Sequence, residues 1–288
     1  SEFVMRFEAV PGEFTQHDVG EVRVRYLDGS MEKLIFFATR WKFSRWMQVS
    51  LVGDQTAETI VRSACAHFAA VGGVPLLAVF DRPKTVAVEW KKDATVTKYN
   101  PLFAQAMFDM GVGVEVCWPY APEQKGAVEN LVGFVKGSFF KPRRFQDRAD
   151  LEAQLEAWHY EVNEERPSRA TGVTPATRMP TERARLRPLK VAPAELAVRK
   201  PVFVGPTAMV SLEGARYSMS PEAIGCSGTA YVRPERVRIE TGRHVAEHPR
   251  LVSGEKSVLP EHRSERLARV SGRRGKQYLK RQDLLDMG

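Results

Sequence analysis

The chain of 288 residues has only three cysteines, Cys65, Cys117 and Cys226, which lie far apart and form no Cys-x-x-Cys pair. That scarcity signals neither a disulfide framework nor a thiolate zinc site, and a reducing, cytoplasmic setting is expected. No apolar run reaches the eighteen or so residues of a membrane span, and no basic-then-apolar leader opens the sequence, so no membrane partner is expected. A helix-turn-helix pattern is also missing, which leaves no obvious base-reading module. Nor is there an initiator methionine: Ser1-Glu2-Phe3 reads as a cloning remnant over residues 1–4, and the natural chain is expected to extend further toward its N-terminus.

What is present suits a globular protein with a polyanionic partner. The hydrophobic share of 43% is enough for a packed core, and 43 Lys and Arg against 35 Asp and Glu leave a formal net charge of +8. That excess favours nucleic acid, although many proteins carry surplus lysine for solubility alone.

Alternation over Glu21 to Leu27, an apolar run from Leu34 to Ala38 and the stretch Arg45 to Val52 predict three consecutive antiparallel strands, with Asp28-Gly29 as a hairpin turn. Thr56 caps a predicted helix over Ala57 to Val71, ended by Gly72-Gly73, and Pro75 to Phe80 reads as a buried central strand. A helix over Asn100 to Met110, a strand over Val114 to Trp118 and helices over Gln124 to Phe140 and Asp150 to Glu165 follow. Strands followed by alternating helix and strand imply an α/β layer fold on a mixed sheet. From Val202 onward five short strands with Glu213-Gly214 and Thr241-Gly242 turns predict a separate small β-barrel. The tail from Glu261 to Arg281 is basic with little apolar periodicity, either solvated or docked on a partner. The expected organisation is therefore a catalytic domain over 5–148, a helical and basic linker over 149–200, the barrel over 201–250 and a basic tail over 251–288.

Three carboxylates stand out by context. Asp81 ends the buried strand, where ligand crevices open in α/β sheets, although a turn before Arg82-Pro83 also calls for an aspartate. Asp18 sits near the first strand, while the neighbouring Asp28 is explained by its Asp-Gly turn. On the helix predicted over Gln124 to Phe140, the residues Val128, Leu131, Val132, Val135 and Phe139 make an apolar stripe, and Lys125, Glu129 and Lys136 lie along one flank of it. An ordinary amphipathic helix with a Lys125–Glu129 pair would read the same way. Elsewhere, Cys65, Cys117 and His67 read as packing residues, Trp41 and Trp46 as core or interface, and His244 and His248 as a surface hairpin rather than metal ligands.

The stretches Pro11-Gly12-Glu13-Phe14-Thr15-Gln16-His17-Asp18, Val79-Phe80-Asp81-Arg82-Pro83 and Pro119-Tyr120-Ala121-Pro122-Glu123-Gln124-Lys125-Gly126-Ala127-Val128-Glu129-Asn130 together resemble the three catalytic blocks of DDE transposases and retroviral-type integrases. The resemblance is nearest to the IstA transposases of bacterial insertion sequences and continues through Asn163-Glu164-Glu165-Arg166-Pro167, Thr171-Gly172-Val173-Thr174-Pro175 and Tyr217-Ser218-Met219. It implies a ribonuclease-H-like core with a mixed five-stranded sheet, with Asp18, Asp81 and Glu129 as ligands of Mg²⁺ or Mn²⁺, two ions being expected in the DNA-bound state. It also implies DNA contacts from Lys136, with Lys125 and Arg82 as further candidates, a multimer that pairs transposon ends, and an AAA+ ATPase helper of the IstB type. The expected activity is hydrolysis at transposon ends and strand transfer into target DNA in a bacterial cytoplasm, at the nucleoid. A nuclease of the same fold and an inactive DNA-binding accessory protein are the alternatives. The chain departs from the pattern at Arg82, where Asn is usual, and at Gly133, where a second basic residue often stands. It also lacks the His-His-Cys-Cys zinc module of retroviral integrases.

Overall fold

The structure is a computed structural model that describes residues 9–80, 86–90, 96–116, 130–269, 275, 277, 280 and 281. The chain divides into two units, residues 1–196 and 197–288. Among the described residues no helix is long and apolar enough to cross a membrane.

In the first unit the elements run β1 (Phe14–Arg25), β2 (Met31–Trp41), β3 (Met47–Val52), α1 (Ala57–Val71), β4 (Leu77–Phe80), β5 (Ala87–Trp90), β6 (Val96–Tyr99), α2 (Pro101–Met110) and β7 (Gly113–Val116). Then come α3 (Leu131–Val135), continued by a π-helical turn over Lys136–Phe140, α4 (Arg148–Tyr160), continued by another over Glu161–Glu165, and α5 (Pro175–Arg183). The main sheet has the order β3-β2-β1-β4-β7. Its first three strands are antiparallel, while β4 runs parallel to β1 and β7 parallel to β4. This is the mixed five-stranded sheet expected from the sequence.

Local chemistry explains the elements. Thr56 accepts from the Thr59 N–H at the start of α1, and Gly72 ends that helix in the left-handed region at φ 99°. Asn100 caps α2 in the same way and Gly111 closes it at φ 82°. Strict alternation along β1 and β2 gives the sheet two different faces. Val24, Leu34, Phe36 and Ala38 pack against Leu131, Val135, Phe139 and Phe140 of α3 and its extension, and against Leu151, Leu155 and Trp158 of α4. The edge strand β3 is closed by a side chain: Asn163 accepts from the Met47 N–H at 2.8 Å and donates to the Met47 carbonyl at 2.9 Å.

The structure differs from the sequence reading at several places. Of the helix expected over Gln124 to Phe140, residues 124–129 lie outside the described residues; the described part starts at Leu131, where the Asn130 side chain takes the Gly133 N–H at 2.6 Å and Asn130, at ψ 85°, is outside helical geometry. The segment 149–196, expected as a linker, packs into the first unit: Leu151, Leu155, Trp158 and Val162 share the sheet's core. Fully buried Glu182 accepts from the Gly12 and Ser44 N–H groups at 2.6 and 2.7 Å. The antiparallel pair β5 and β6 was not anticipated.

A further difference is the barrel. The second unit holds β8 (Val198–Phe203), β9 (Met209–Leu212), β10 (Ala215–Ser218), β11 (Ser227–Val232), β12 (Arg236–Thr241), β13 (His244–Pro249), β14 (Lys256–Ser257) and α6 (Pro260–Arg269). They form two sheets, β13-β12-β11-β8 and β14-β10-β9, rather than one closed sheet. A 3-10 turn over Pro221–Ala223 separates β10 from β11, so β11 joins β8 while β10 takes β14 as its partner. Val202, Val210, Leu212, Tyr217, Val232, Val237 and Ile239 from both sheets fill one core. The tail reading is corrected in part by α6, anchored by His262, whose Nδ1 lies 2.8 Å from the Ser218 hydroxyl.

Candidate active site on the mixed sheet

Asp18 lies in the middle of β1, opposite Ala38 of β2. By alternation it shares a sheet face with Val22 and Val24, the face on which α3 packs. The side chain is half-buried and its Oδ1 accepts the Val19 N–H at 2.8 Å. Next along this face is Gly20, opposite Phe36, whose ring occupies the space a β-carbon at 20 would need. Gly20 thus lets a large aromatic lie flat over β1 beside the carboxylate, and Phe36 in turn packs 5.4 Å from Phe140.

The parallel pairing of β1 with β4 ends at His17 opposite Phe80. Asp81 follows Phe80 in the sequence but lies outside the described residues, as do Arg82, Lys125 and Glu129. Of the six expected site residues, Asp18 and Lys136 are therefore the two whose surroundings are defined. Among the described residues no three His, Cys, Asp or Glu side chains converge on a common point. A carboxylate such as Asp18 is nevertheless the donor type that hard divalent cations prefer.

The opposite face of the same strands carries a closed polar chain. Thr15 Oγ1 meets His17 Nε2 at 2.7 Å, His17 Nδ1 meets Thr39 Oγ1 at 2.9 Å, and Thr39 Oγ1 also meets His67 Nδ1 at 2.7 Å. His67 Nε2 ends the chain on Ser50 Oγ at 2.8 Å. The His17 ring stacks on Phe80 at 4.6 Å and on Phe37 at 5.5 Å. Burial, reinforced by the neighbouring imidazole, holds His17 well below the usual histidine range. Burial, with His159 nearby, pushes His67 down to about 3. The expectation that His67 and Cys65 pack rather than react agrees with this burial, as does Trp41, whose Nε1 donates to Gln48 at 3.1 Å. His248 is buried rather than on the surface as expected, held by Ser257 Oγ and the Ser218 carbonyl, both at 2.9 Å.

Lys136 is half-buried at the junction of α3 and its π-helical extension. It lines a groove of about 370 Å³ together with Arg23, Arg25, Lys141, Arg143 and Arg144. Arg143 is paired with Glu161 at 2.8 Å, and no acidic side chain lines the groove. The Lys141-Pro142-Arg143-Arg144 run was a signal for this groove that the sequence reading passed over. Gly133, the departure from the expected basic residue, now has a steric reason: a β-carbon there would meet the Asn130 cap.

Comparison with known proteins adds the following. Residues 189–259 match the family model described as Mu transposase, C-terminal domain. The chain is 29% identical over 224 residues to a putative transposase for insertion sequence element IS5376 of Geobacillus stearothermophilus, covering 77% of this chain and 55% of that protein. It is 28% identical over 277 residues to the transposase for insertion sequence element IS21 of Pseudomonas aeruginosa, covering 94% of this chain and 70% of that one. The chain thus spans little more than half of the first of these relatives. Among solved structures, the HTLV-2 integrase catalytic core domain in complex with magnesium is similar at 16% identity and a TM-score of 0.43, over 58% of this chain and 96% of that one.

Proposed function

We propose, for a chain that is a relative of the transposases of IS21-type insertion sequences, that the first unit carries out metal-dependent phosphodiester chemistry on DNA. The reaction would be hydrolysis at the ends of a mobile element followed by attack of the exposed 3′-OH on a target strand. Asp18, Asp81 and Glu129 are the proposed ligands of two Mg²⁺ or Mn²⁺ ions. Bound together, such ions would stabilise charge on the attacking and leaving oxygens of an in-line displacement. The protein's part is to hold the ligands and to position the strands, with no covalent enzyme intermediate.

The observation that carries this reading is the placement of Asp18. It stands on the sheet face covered by α3, one residue past the His17–Phe80 pair at which β4 ends. Position 81 follows that pair in the sequence and position 129 precedes the cap of α3; both lie outside the described residues, and their gathering with Asp18 is part of the proposal. The groove around Lys136 supports DNA as the substrate, because its cations offer phosphate contacts without reading bases. Lys125 and Arg82 remain proposed contacts on the same reasoning from sequence. A multimer that pairs two DNA ends and an AAA+ ATPase helper of the IstB type are proposed as partners from the family resemblance.

The test is incubation of the protein with Mg²⁺ or Mn²⁺, labelled terminal-repeat duplexes and a plasmid target. Joined products from pre-cut ends, abolished by Asp18→Asn and by Asp81→Asn, are expected. Hydrolysis without joining would make the protein a nuclease, and metal-independent binding alone would make it an accessory factor.

A further inference from the structure

A second cavity, of about 470 Å³, opens on the α3 face of the sheet. Four arginines line it: Arg40 from β2, Arg45 from the turn after β2, and Arg166 and Arg169 from the loop before α5. Ser138 and Ser168 add hydroxyls, Phe134, Val162 and Pro167 give an apolar wall, and no carboxylate is among the lining residues. The lining side chains carry an excess of positive charge, which an anion entering the cavity would offset.

Arg40 is buried and Arg45 partly so, while Arg166 and Arg169 stand exposed at the rim. Arg40 is only 4% exposed, its Nε donates to Met47 Sδ at 3.0 Å, and its guanidinium lies 4.5 Å from the centre of the Phe134 ring. Arg45 is held at φ 70°, a left-handed conformation that costs a non-glycine residue energy and that surrounding structure must support. Behind it Arg178 stacks on Phe43 at 4.0 Å. Burial and the neighbouring cation push Arg40 down to about 9, the direction expected where positive charge is crowded. At the rim Arg166 is exposed and Glu161 stands 3.6 Å away, while Arg169 is also exposed.

We propose that this cavity is a phosphate-binding pocket that takes a phosphodiester of a nucleic-acid strand. Guanidinium forks match phosphate oxygens in pairs, and low exposure strengthens each contact. Position within the sheet argues for a strand already engaged at Asp18. Arg40 is two residues beyond Ala38, the partner of Asp18, and on the same face. At about 3.3 Å per residue along a strand and about 5 Å across to the next, the two Cα atoms stand roughly 8 Å apart. A strand engaged at Asp18 could therefore reach the pocket with a nearby phosphate. The identity of the phosphate donor rests on the function proposed above, whereas the anion site itself does not.

The experiment measures binding without chemistry. Fluorescence anisotropy with labelled single-stranded and duplex oligonucleotides, in EDTA and at several salt concentrations, compares the wild type with Arg166→Ala/Arg169→Ala. The control is Lys33→Ala/Arg148→Ala, which removes the same charge from surface sites paired with Glu21 and Glu32. The rim variant should weaken binding at least about tenfold and flatten the salt slope by about two, while the control changes Kd by less than about threefold. A series of duplexes with a single methylphosphonate stepped along one strand should show one position that weakens the wild type and leaves the rim variant unchanged. If rim and control variants behave alike, or no such position exists, the pocket is not a phosphate site. Loss of binding in the rim variant alongside an absence of metal-dependent cleavage in the wild type would keep the pocket and overturn the catalytic reading instead.

Discussion

On the α1 side of the five-stranded sheet His17 and Thr39 find their hydrogen-bond partners inside the fold. On the α3 side, one residue further along the same two strands, Asp18 stays half-exposed and Arg40 lines a cavity. The difference arises from what covers each face. Helix α1 brings His67 and Phe68 onto the first, and the aromatic rings of Phe37, Phe68 and Phe80 close around His17. Helix α3 is short, and it covers its face with Leu131 and Val135 while leaving grooves at both flanks. Adjacent residues of a strand can therefore meet opposite surroundings, one sealed in the interior and the other left open to a groove.

The largest expected effect separates the faces by readout. Asp18→Asn should lower metal-dependent cleavage by about 1,000-fold, roughly 4 kcal/mol in the barrier, yet move the melting temperature by less than about 2 °C. Unchanged cleavage rates in single-turnover assays would remove Asp18 from the metal site. On the α1 face the order reverses, and stability rather than chemistry responds. Both His17 and His67 are held below the ordinary histidine value of 6.5 in the folded chain, chiefly by burial. Above that value neither state takes a proton and nothing is lost. As pH falls below it, the unfolded chain binds protons that the folded one refuses, down to about 3 for His67. Stability should drop by about 1.4 kcal/mol per pH unit for each histidine, beginning near pH 6.5. Urea titrations at pH 7.5, 6 and 5 measure this, and a flat profile would show that the imidazoles are charged or solvated. Thr39→Val should cost about 2–3 kcal/mol at neutral pH, because it strips the shared partner from both Nδ1 atoms without changing volume much.

How much of this was visible in the sequence follows from the same contrast. Helix α1 was legible to the residue, because Thr56, the apolar spacing and Gly72 all agree. The alternation of β1 and β2 gave the strands, and the short Gly turns gave the second unit's hairpins. Alternation did not reveal which polar residue would be sealed. His17 and Asp18 are neighbours, and only the long-range approach of α1 makes one a core residue. The arginine cavity was illegible for a similar reason: Arg40, Arg45, Arg166 and Arg169 come from stretches that meet through tertiary packing alone. The expected small barrel takes the form of two sheets around one core, which a strand count could not specify, because the turn at Pro221 directs β11 to β8. A continuous helix through Asn130 was expected, and the break there comes from a side chain that offers the backbone an alternative to helix.

A smaller effect tests the α3 face without touching a charge. Gly20→Ala puts a methyl group where the Phe36 ring lies, so the ring must tilt toward Phe140 or the strands must part. The cost should be about 1–3 kcal/mol in chemical denaturation. Because Asp18 is two residues away on the same face, cleavage should fall as well. Thr39→Val, on the other face, should leave the rate per folded molecule unchanged. If the two variants show the same ratio of activity to stability, the faces are not independent.

The smallest effect concerns the start of α3. Asn130 Oδ1 takes the Gly133 N–H at 2.6 Å, so Asn130→Ala leaves that donor without its cap and should cost about 1 kcal/mol. Asn130→Asp keeps an acceptor and adds a negative charge at the positive end of the helix, so it should restore stability within a few tenths of a kcal/mol. Cleavage should discriminate between the two in a different sense. Asn130 follows Glu129 in the chain, so releasing the cap loosens the segment that carries the third proposed ligand, while a new carboxylate beside it competes for the same cation. Asn130→Ala should then lose a few-fold in rate at saturating Mn²⁺, and Asn130→Asp should shift the metal concentration at half-maximal rate with little change at saturation. Equal rates and equal metal dependence for wild type and both variants would mean that the cap serves the fold alone and that α3 does not position the catalytic segment.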